Sequence, residues 1–333
     1  MMSDQEGISV IICCYNSALR IIPTLQHLQR IKTEVKWEVI LVDNNSLDNT
    51  AVIARKTWEE NPVAPFKIVE EKIPGLMNAR VKGVAAASNG IITFIDDDNW
   101  IDEHWVDNVS VIMKRDSSIA ACGGMSEAIP EKRLPEWFEY FCTSFAVGRQ
   151  QNETGFVNPV KGYLWGAGLS VRKKAWNDVF NAGFKSLLTG RSGKTLTAGE
   201  DSELCFALVL RGGKLWYDDS LKLKHFIPDS RLQFNYLIKM YRGFGKAELI
   251  LAIYRDVILK KYSNKSSWLM ETLSSFKRLF ADSLKNLFMK KTMGSIVSWN
   301  HNRSYTLELL LNRKKYNDAK KQILNFARNS INI

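Results

Sequence analysis

Ile91-Ile92-Thr93-Phe94-Ile95-Asp96-Asp97-Asp98 is an apolar, largely β-branched run that ends abruptly in three carboxylates. Such a run, with no polar alternation, predicts a strand buried on both faces. Asn89-Gly90 breaks the chain just before it, after a helical pattern from Leu76 to Ala87. The same punctuation recurs upstream. Ile8 to Cys14, Trp37 to Asp43 and the shorter Phe66 to Val69 read as strands. Between them, Tyr15-Asn16-Ser17 makes a turn and cap, followed by a helical stripe at Leu19, Ile22, Leu25 and Leu28. Asn44-Asn45-Ser46 makes a second turn, and Asp48 is expected to open the next helix. Strand–helix alternation predicts an α/β fold: an open, mostly parallel sheet with helices on both faces. In such sheets ligands bind beyond the carboxyl ends of the strands, where Asp43 and the Asp96–Asp98 triplet lie.

Composition narrows the classes. The 333 residues are 45% apolar and 24% charged, enough apolar surface to build a core and too much for a disordered chain. The five Cys show no C-x-x-C spacing, which excludes a disulfide scaffold and a Cys-rich zinc site and fits a reducing cytosol. The first residues lack a basic start and an apolar core, so no signal peptide is expected, and no run of about 18 apolar residues predicts a membrane span. The net charge of +11 suits anionic partners: nucleotide phosphates, acidic lipid or nucleic acid. From Gln233 onward strand signals vanish; Pro is absent beyond Ser230, and Gly occurs there only at 243, 245 and 294. The expected organisation is therefore a catalytic body over 1–230, with halves at about 7–125 and 126–230, and a helical extension over 231–333.

Three adjacent carboxylates need a compensating cation. Oxygen donors without a nearby thiolate suit Mg²⁺ or Mn²⁺. The bland alternative is a solvated acidic turn with Asp98 capping a helix. Glu200-Asp201 opens an apolar helical stretch from Leu204 to Leu210, after the Gly-, Ser-, Thr- and Lys-rich segment 188–199. Alone it reads as a helix N-terminal acid; beside the triplet it reads as a positioned general base. His225 follows a strand expected at Leu221 to Lys224 and is a candidate third metal ligand, with a structural role equally open. Gly190 to Thr195 imitates a phosphate-binding loop, but Leu stands at 188 where that motif needs Gly, and no strand precedes it. Gly166-Ala167-Gly168 lacks the third Gly of a dinucleotide site. Pro130, Pro135, Trp137, Phe138 and Trp165 could stack on sugars, although core packing is the commoner role for most of them.

Together these pieces resemble the family 2 glycosyltransferases of the GT-A fold, the nucleotide-diphospho-sugar transferase fold with a Rossmann-like sheet. Five segments match in the family's order over roughly residues 7 to 228: Ile8–Asn16, Val42–Thr50, Gly75–Arg80 through Gly90, the D-x-D element Phe94–Asp98, and Gly199–Leu204 with Arg211-Gly212-Gly213. Cys13-Cys14 replaces the Pro-Thr common in the opening turn, and the Q-x-x-R-W element of processive polymerases is missing around Arg231. The resemblance implies transfer of one sugar, with inversion, from a UDP- or GDP-linked donor to a saccharide or lipid-linked acceptor hydroxyl in cell-surface polysaccharide or lipopolysaccharide synthesis. It implies donor contacts at Cys14, Tyr15, Asn16, Asp43, Asn45, Arg80, Asp96 and Asp97. Asp43 would accept from the base, and Arg80 would hold the base or diphosphate. Mg²⁺ or Mn²⁺ would sit on Asp98 and Asp96, with His225. Asp201 would deprotonate the acceptor, supported by Glu200.

Two other classes were weighed. An Asp-nucleophile phosphatase also places D-x-D after a strand, but expects Thr or Val where Trp100 stands. A non-catalytic basic binder of nucleic acid or membrane would need clustered cations interleaved with aromatics. The charge is instead spread through the C-terminal helices, and no nucleic-acid partner is expected. There Phe276, Leu279, Phe280, Leu284, Leu287 and Phe288 share a helical face, with Lys277, Arg278, Lys285, Lys290 and Lys291 nearby. Such a face either packs on the catalytic body or lies on an acidic membrane, which would place a cytoplasmic enzyme at the inner face of the cell membrane.

Overall fold

The computed structural model describes residues 7–158, 161–188, 191–192, 195–196, 199–259, 268–289 and 291–328. The chain opens as β1 (Ile8–Cys14), α1 (Ile21–Leu28), β2 (Trp37–Asp43), α2 (Thr50–Glu60), β3 (Phe66–Glu70), α3 (Leu76–Ala86), β4 (Ile91–Asp96) and β5 (Asn99–Ile101). It continues as α4 (Trp105–Arg115), β6 (Ile119–Pro130), α5 (Phe138–Phe141), β7 (Gly155–Phe156), β8 (Leu169–Arg172) and α6 (Lys173–Asn181). A small hairpin, β9 (Arg191–Ser192) with β10 (Thr195–Leu196), precedes α7 (Glu200–Leu210) and β11 (Lys214–Ile227). Four helices follow: α8 (Phe234–Ile258), α9 (Trp268–Phe288), α10 (Met293–Leu311) and α11 (Arg313–Arg328).

The main sheet runs β3-β2-β1-β4-β8-β6-β11-β5, with β7 against β11. β3, β2, β1 and β4 are parallel; β8 runs antiparallel between β4 and β6, and β5 antiparallel to β11. The sheet is therefore mixed, as a GT-A sheet is. Its strands β1 and β4 alternate between two layers. Ile8, Val10 and Ile12 pack with Leu25, Trp105 and Val109, while Ile11 packs across the sheet with Val84, Trp176 and Leu204. Period-2 side-chain alternation produces that division. Gly83 makes it possible for α3 to lie on β1, since a Cβ there would come within 2.5 Å of Ile11 Cγ2.

Two boundaries differ from expectation. Leu19 is 96% exposed and precedes α1, whose inner face is Ile21, Thr24, Leu25 and Leu28. Asp48 does not open α2. It accepts hydrogen bonds from the Thr50 amide (3.0 Å) and the Ala18 amide (3.1 Å), tying the two turns together before the helix starts at Thr50. Trp137 and Phe138 are core residues, clustered with Phe145 and Phe234. Of the imitation phosphate loop, Gly190, Gly193 and Lys194 lie outside the described residues, as does Lys290 of the basic face.

In the C-terminal region strands give way to helices among the described residues, as the missing prolines predict. Phe326 of α11 reaches the inner core beside Phe184, so this region is packed onto the sheet body. No helix among the described residues is long and apolar enough to cross a membrane.

Candidate active site

Register brings the acids together. Cys14 pairs with Asp43, Asp43 with Glu70, and Cys13 with Asp96, so β1, β2, β3 and β4 end at one level. β1 lies between β2 and β4, where the strand order reverses, and this is where α/β sheets leave a crevice. The two turns at this edge are laced to each other. The Asn16 amide donates to Ser46 Oγ (3.0 Å), the Leu47 amide to Asn16 Oδ1 (2.8 Å) and the Ser46 amide to Asp43 Oδ1 (3.0 Å). Asn16 and Asn45 both sit at positive φ, 50° and 63°, a conformation Asn tolerates better than most residues. Tyr15 and Asn45 are exposed at the rim. Cys14 departs from expectation: its thiol is turned into the core, and burial pushes its pKa well up, so it offers the crevice no side chain.

The Asp triplet divides its tasks. Asp97 turns to α1, accepting from Arg20 at 2.7 Å and from the Ser17 hydroxyl; it serves as a bracket between β4 and α1. Asp98 is 4% exposed and turns the other way. Its Oδ2 receives Arg231 Nη1 at 3.1 Å, and its Oδ1 lies 3.2 Å from Asn99 Nδ2 and 3.7 Å from His225 Nε2. The β11–β5 register sets His225 opposite Asn99, which delivers the imidazole to Asp98. Asp96 lies between these arrangements. It is partly buried and, among the described residues, has no cationic side chain within ion-pair distance. Burial and the Asp98 charge push its pKa up to about 7, with Arg80 opposing and Asp201 adding to the rise. Those four groups therefore form one electrostatic unit.

Asp201 enters from α7. Its carboxylate accepts from Arg80 Nη1, and its side chain is 32% exposed. Arg80 departs from expectation. It is 1% exposed, lies beneath the crevice with its guanidinium 5.2 Å from the Phe94 ring centroid, and is committed to Asp201. The helix face that bears Ala79, Arg80, Gly83 and Val84 packs on the sheet, which turns this arginine inward. Gly166 makes room opposite: a Cβ there would fall 2.2 Å from Asp201 Oδ2. Glu200 is 5% exposed at the α7 N-terminus, and among the described residues its Oε2 has no hydrogen-bond partner. Burial, with help from Asp201 and Glu203, pushes its pKa up to about 7. Glu203, fully buried, accepts from the Leu187 amide (2.9 Å), the Leu188 amide (3.1 Å) and Ser186 Oγ (2.6 Å), so it moors the start of segment 188–199 to α7.

Sequence reasoning missed Arg231, Asn99, Gly166 and Glu203. Arg231 carries no motif. Gly166 stood out only as part of an incomplete dinucleotide loop; Asp201, which it approaches, lies far along the chain, so no local signal marks the contact.

The sequence model of the family described as Glycosyl transferase family 2 matches residues 9–180. The chain belongs to glycosyltransferase family 2. Among curated relatives, a poly-beta-1,6-N-acetyl-D-glucosamine synthase of Staphylococcus aureus (strain COL) is 27% identical over 232 residues, 69% of this chain and 52% of the relative. Polypeptide N-acetylgalactosaminyltransferase 5 of Caenorhabditis elegans is 30% identical over 231 residues, 62% of this chain and 35% of the relative. The chain thus matches about half, or less, of these relatives' length. Among solved structures, S. aureus TarS 1-349 in complex with UDP-GlcNAc superposes with a TM-score of 0.51 and 13% identity, covering 92% of both chains. GalNAc-T7 with UDP, GalNAc and Mn²⁺ gives 0.53 and 14%, covering 94% of this chain and 57% of that one. At such identities the likeness concerns the fold, which is GT-A. Membership in this glycosyltransferase family sets aside the phosphatase and the non-catalytic binder.

The donor chemistry at Asp96 and Asp98 suits a hard divalent cation: carboxylate oxygens with an imidazole at hand. A cation there would also offset the burial and the Asp98 charge that together raise the Asp96 pKa. Among the described residues no three His, Cys, Asp or Glu groups converge as a metal cluster, and Arg231 and Asn99 hold the Asp98 oxygens.

Proposed function

We propose that this glycosyltransferase moves a single sugar, with inversion, from a UDP- or GDP-linked donor to a saccharide or lipid-linked hydroxyl in surface-polysaccharide synthesis. The observation that carries it is the junction at the β4 terminus, where Asp96 senses both Asp98 and the Arg80–Asp201 pair. The nucleotide lies against the laced turns at Asn16, Asp43 and Asn45, with Tyr15 at the rim. Asp96 and Asp98 would hold Mg²⁺ or Mn²⁺, with the His225 imidazole 3.7 Å from Asp98 as the further donor at hand. When bound, that ion supplies Lewis-acid neutralisation of the charge on the departing diphosphate. Asp201 takes the proton of the acceptor hydroxyl as it attacks the anomeric carbon from the face opposite the leaving group. Arg80 is a positioning residue: from beneath the crevice it fixes one Asp201 oxygen and leaves the carboxylate exposed on the acceptor side. Glu200, whose pKa burial raises to about 7, is only partly ionised near neutral pH and so adds less than a full charge beside the base. Residues 7–125 form the donor half, 126–230 the acceptor half, and 231–333 a helical extension.

We place the enzyme on the cytoplasmic face of the cell membrane, docked through α9. Leu269, Leu273, Phe276, Phe280, Leu284 and Leu287 are 38 to 74% exposed and fall within roughly 80° of arc at 100° per residue. Leu279, expected on this face, is half-buried. Both acids of α9 turn away from the outer stripe. Glu271 accepts from Tyr305 OH (2.6 Å), and Asp282 from Ser298 and Asn302 of α10 (2.7 Å each). Arg278 also turns inward, to Glu271 (3.3 Å) and the Tyr305 ring, so the exposed stripe carries no acid and is flanked by Lys277, which suits anionic headgroups.

A screen of nucleotide-sugar donors with Mn²⁺, measuring nucleoside diphosphate release, tests the reaction. Release from one UDP- or GDP-sugar, lost in D98N, is expected; no release from any of them overturns the donor reading.

A further inference from the structure

Each acid at the β4 edge has a distinct cationic environment. Arg20 takes Asp97, Arg80 takes Asp201 and Arg231 takes Asp98, while Asp96 has no arginine at ion-pair distance among the described residues. The three arginines differ in how firmly they are held. Arg80 is enclosed. Arg231 projects from a single 3-10 turn, Asp229–Arg231, just after β11, and its side chain is 27% exposed. The backbone of that turn is fixed: the Arg231 amide donates to Pro228 O (2.8 Å) and the Asp229 amide to Glu131 Oε2 (2.9 Å). A long side chain on a fixed stem can leave Asp98 without disturbing the fold.

Asp98 itself cannot turn away. Its backbone carbonyl accepts from the Phe226 amide (2.9 Å), its Oδ1 is met by Asn99 Nδ2, and the residue is 4% exposed. The guanidinium thus occupies Oδ2 of a carboxylate fixed in place, at the position where the reading above puts a metal ligand. A divalent ion entering alone would have to displace a monovalent cation already paired with a buried carboxylate. An ion entering with a nucleoside diphosphate brings the anion that the released guanidinium can pair with.

We propose that Arg231 holds Asp98 in the absence of donor and yields it only to an ion delivered with the nucleotide, so that metal and donor load together. The inference rests on the metal reading above. Its signature is thermodynamic coupling, which is reciprocal between the two ligands and commonly reaches roughly 5–150-fold.

The test is Mn²⁺ binding to the full chain, followed by the electron paramagnetic resonance signal of free Mn²⁺, with and without UDP or GDP. The wild type is expected to bind Mn²⁺ weakly alone and roughly tenfold or more tightly with the diphosphate. R231Q is expected to bind Mn²⁺ alone several-fold more tightly than the wild type, and to show a correspondingly smaller coupling, keeping only what direct diphosphate–Mn²⁺ contact supplies. R231K keeps the charge and should retain part of it, which separates competition from a general loosening of the site. Equal Mn²⁺ affinity in wild type and R231Q without nucleotide overturns the proposal. D98N distinguishes the two levels. If it abolishes nucleotide-dependent Mn²⁺ binding, the metal reading stands whatever R231Q does. If no variant shows Asp98-dependent Mn²⁺ binding, the reading and the inference fall together.

Discussion

The sheet body and helix α9 treat the same two kinds of side chain in opposite ways. In the body, apolar residues fill both faces of the sheet, and the charges near them are paired: Glu38 with Lys67, Asp98 with Arg231, Arg80 with Asp201. In α9, the acids are bonded inward to α10, Arg278 with them, while six large apolar residues face out. Burying a charge is costly unless it is paired, and exposing a long apolar stripe is unusual unless something covers it. The first region therefore satisfies its charges within the protein, while the second leaves an apolar stripe open to the membrane surface proposed above. Substitutions in each should fail in different assays.

The largest effect is expected at Asp201. D201N should lower kcat by about 10²–10⁴-fold, the usual contribution of a positioned base, with donor affinity little changed. Unchanged turnover in a nucleoside diphosphate release assay would remove Asp201 from the base role. Glu200 comes next. Its folded pKa of about 7 lies above the ordinary 4.5, so the carboxyl is protonated in both states below pH 4.5 and contributes no penalty there. As pH rises from 4.5 to 7 the unfolded chain gains by ionising it, and stability falls by on the order of 3 kcal/mol before levelling off above the folded pKa. E200Q should flatten that decline, read as Tm between pH 4 and 8; a parallel decline in both proteins would show that this carboxyl is not the cause. G166A forces a methyl against the Asp201 carboxylate and should cost about 1–3 kcal/mol of stability, with kcat falling as the base shifts. The smallest effect on folding belongs to α9. L273E/F280E/L287E should change stability by about 0.5 kcal/mol or less per site while abolishing flotation with acidic liposomes. Retained flotation would show that the stripe is not the docking face, and a collapsed Tm would show that it is core.

Much of the N-terminal half was readable. β1, β2 and β4 are apolar runs interrupted only by Ser9, Glu38 and Thr93, and runs buried on both faces carry their own signal. The acids that end them follow directly. The other half of the sheet was less clear for physical reasons. β6 contains Gly123-Gly124, a poor strand composition that exists because Gly124 backs onto Leu221. β11 buries Leu221, Leu223, His225 and Ile227 and exposes Lys222 and Lys224, a period-2 pattern that extends well past the short strand the sequence suggested. Side-chain direction was the other blind spot. A motif gives the residue type at position 80, but the packed face of α3 decides that its guanidinium points down rather than into the crevice. Likewise nothing local marks Arg231, whose partner lies 133 positions earlier.

The anchorage of Glu203 has a consequence for how this enzyme could diversify. The stretch between Leu188 and Gly199 leaves from backbone amides clasped by a buried carboxylate and returns through a glycine at φ 122°, one residue before Glu200. Both attachment points belong to the element that bears the base. A stretch exchanged from another family member would inherit the same two moorings, so, on the proposed roles, recipient preference could be swapped like a cassette while Asp201 keeps its aim.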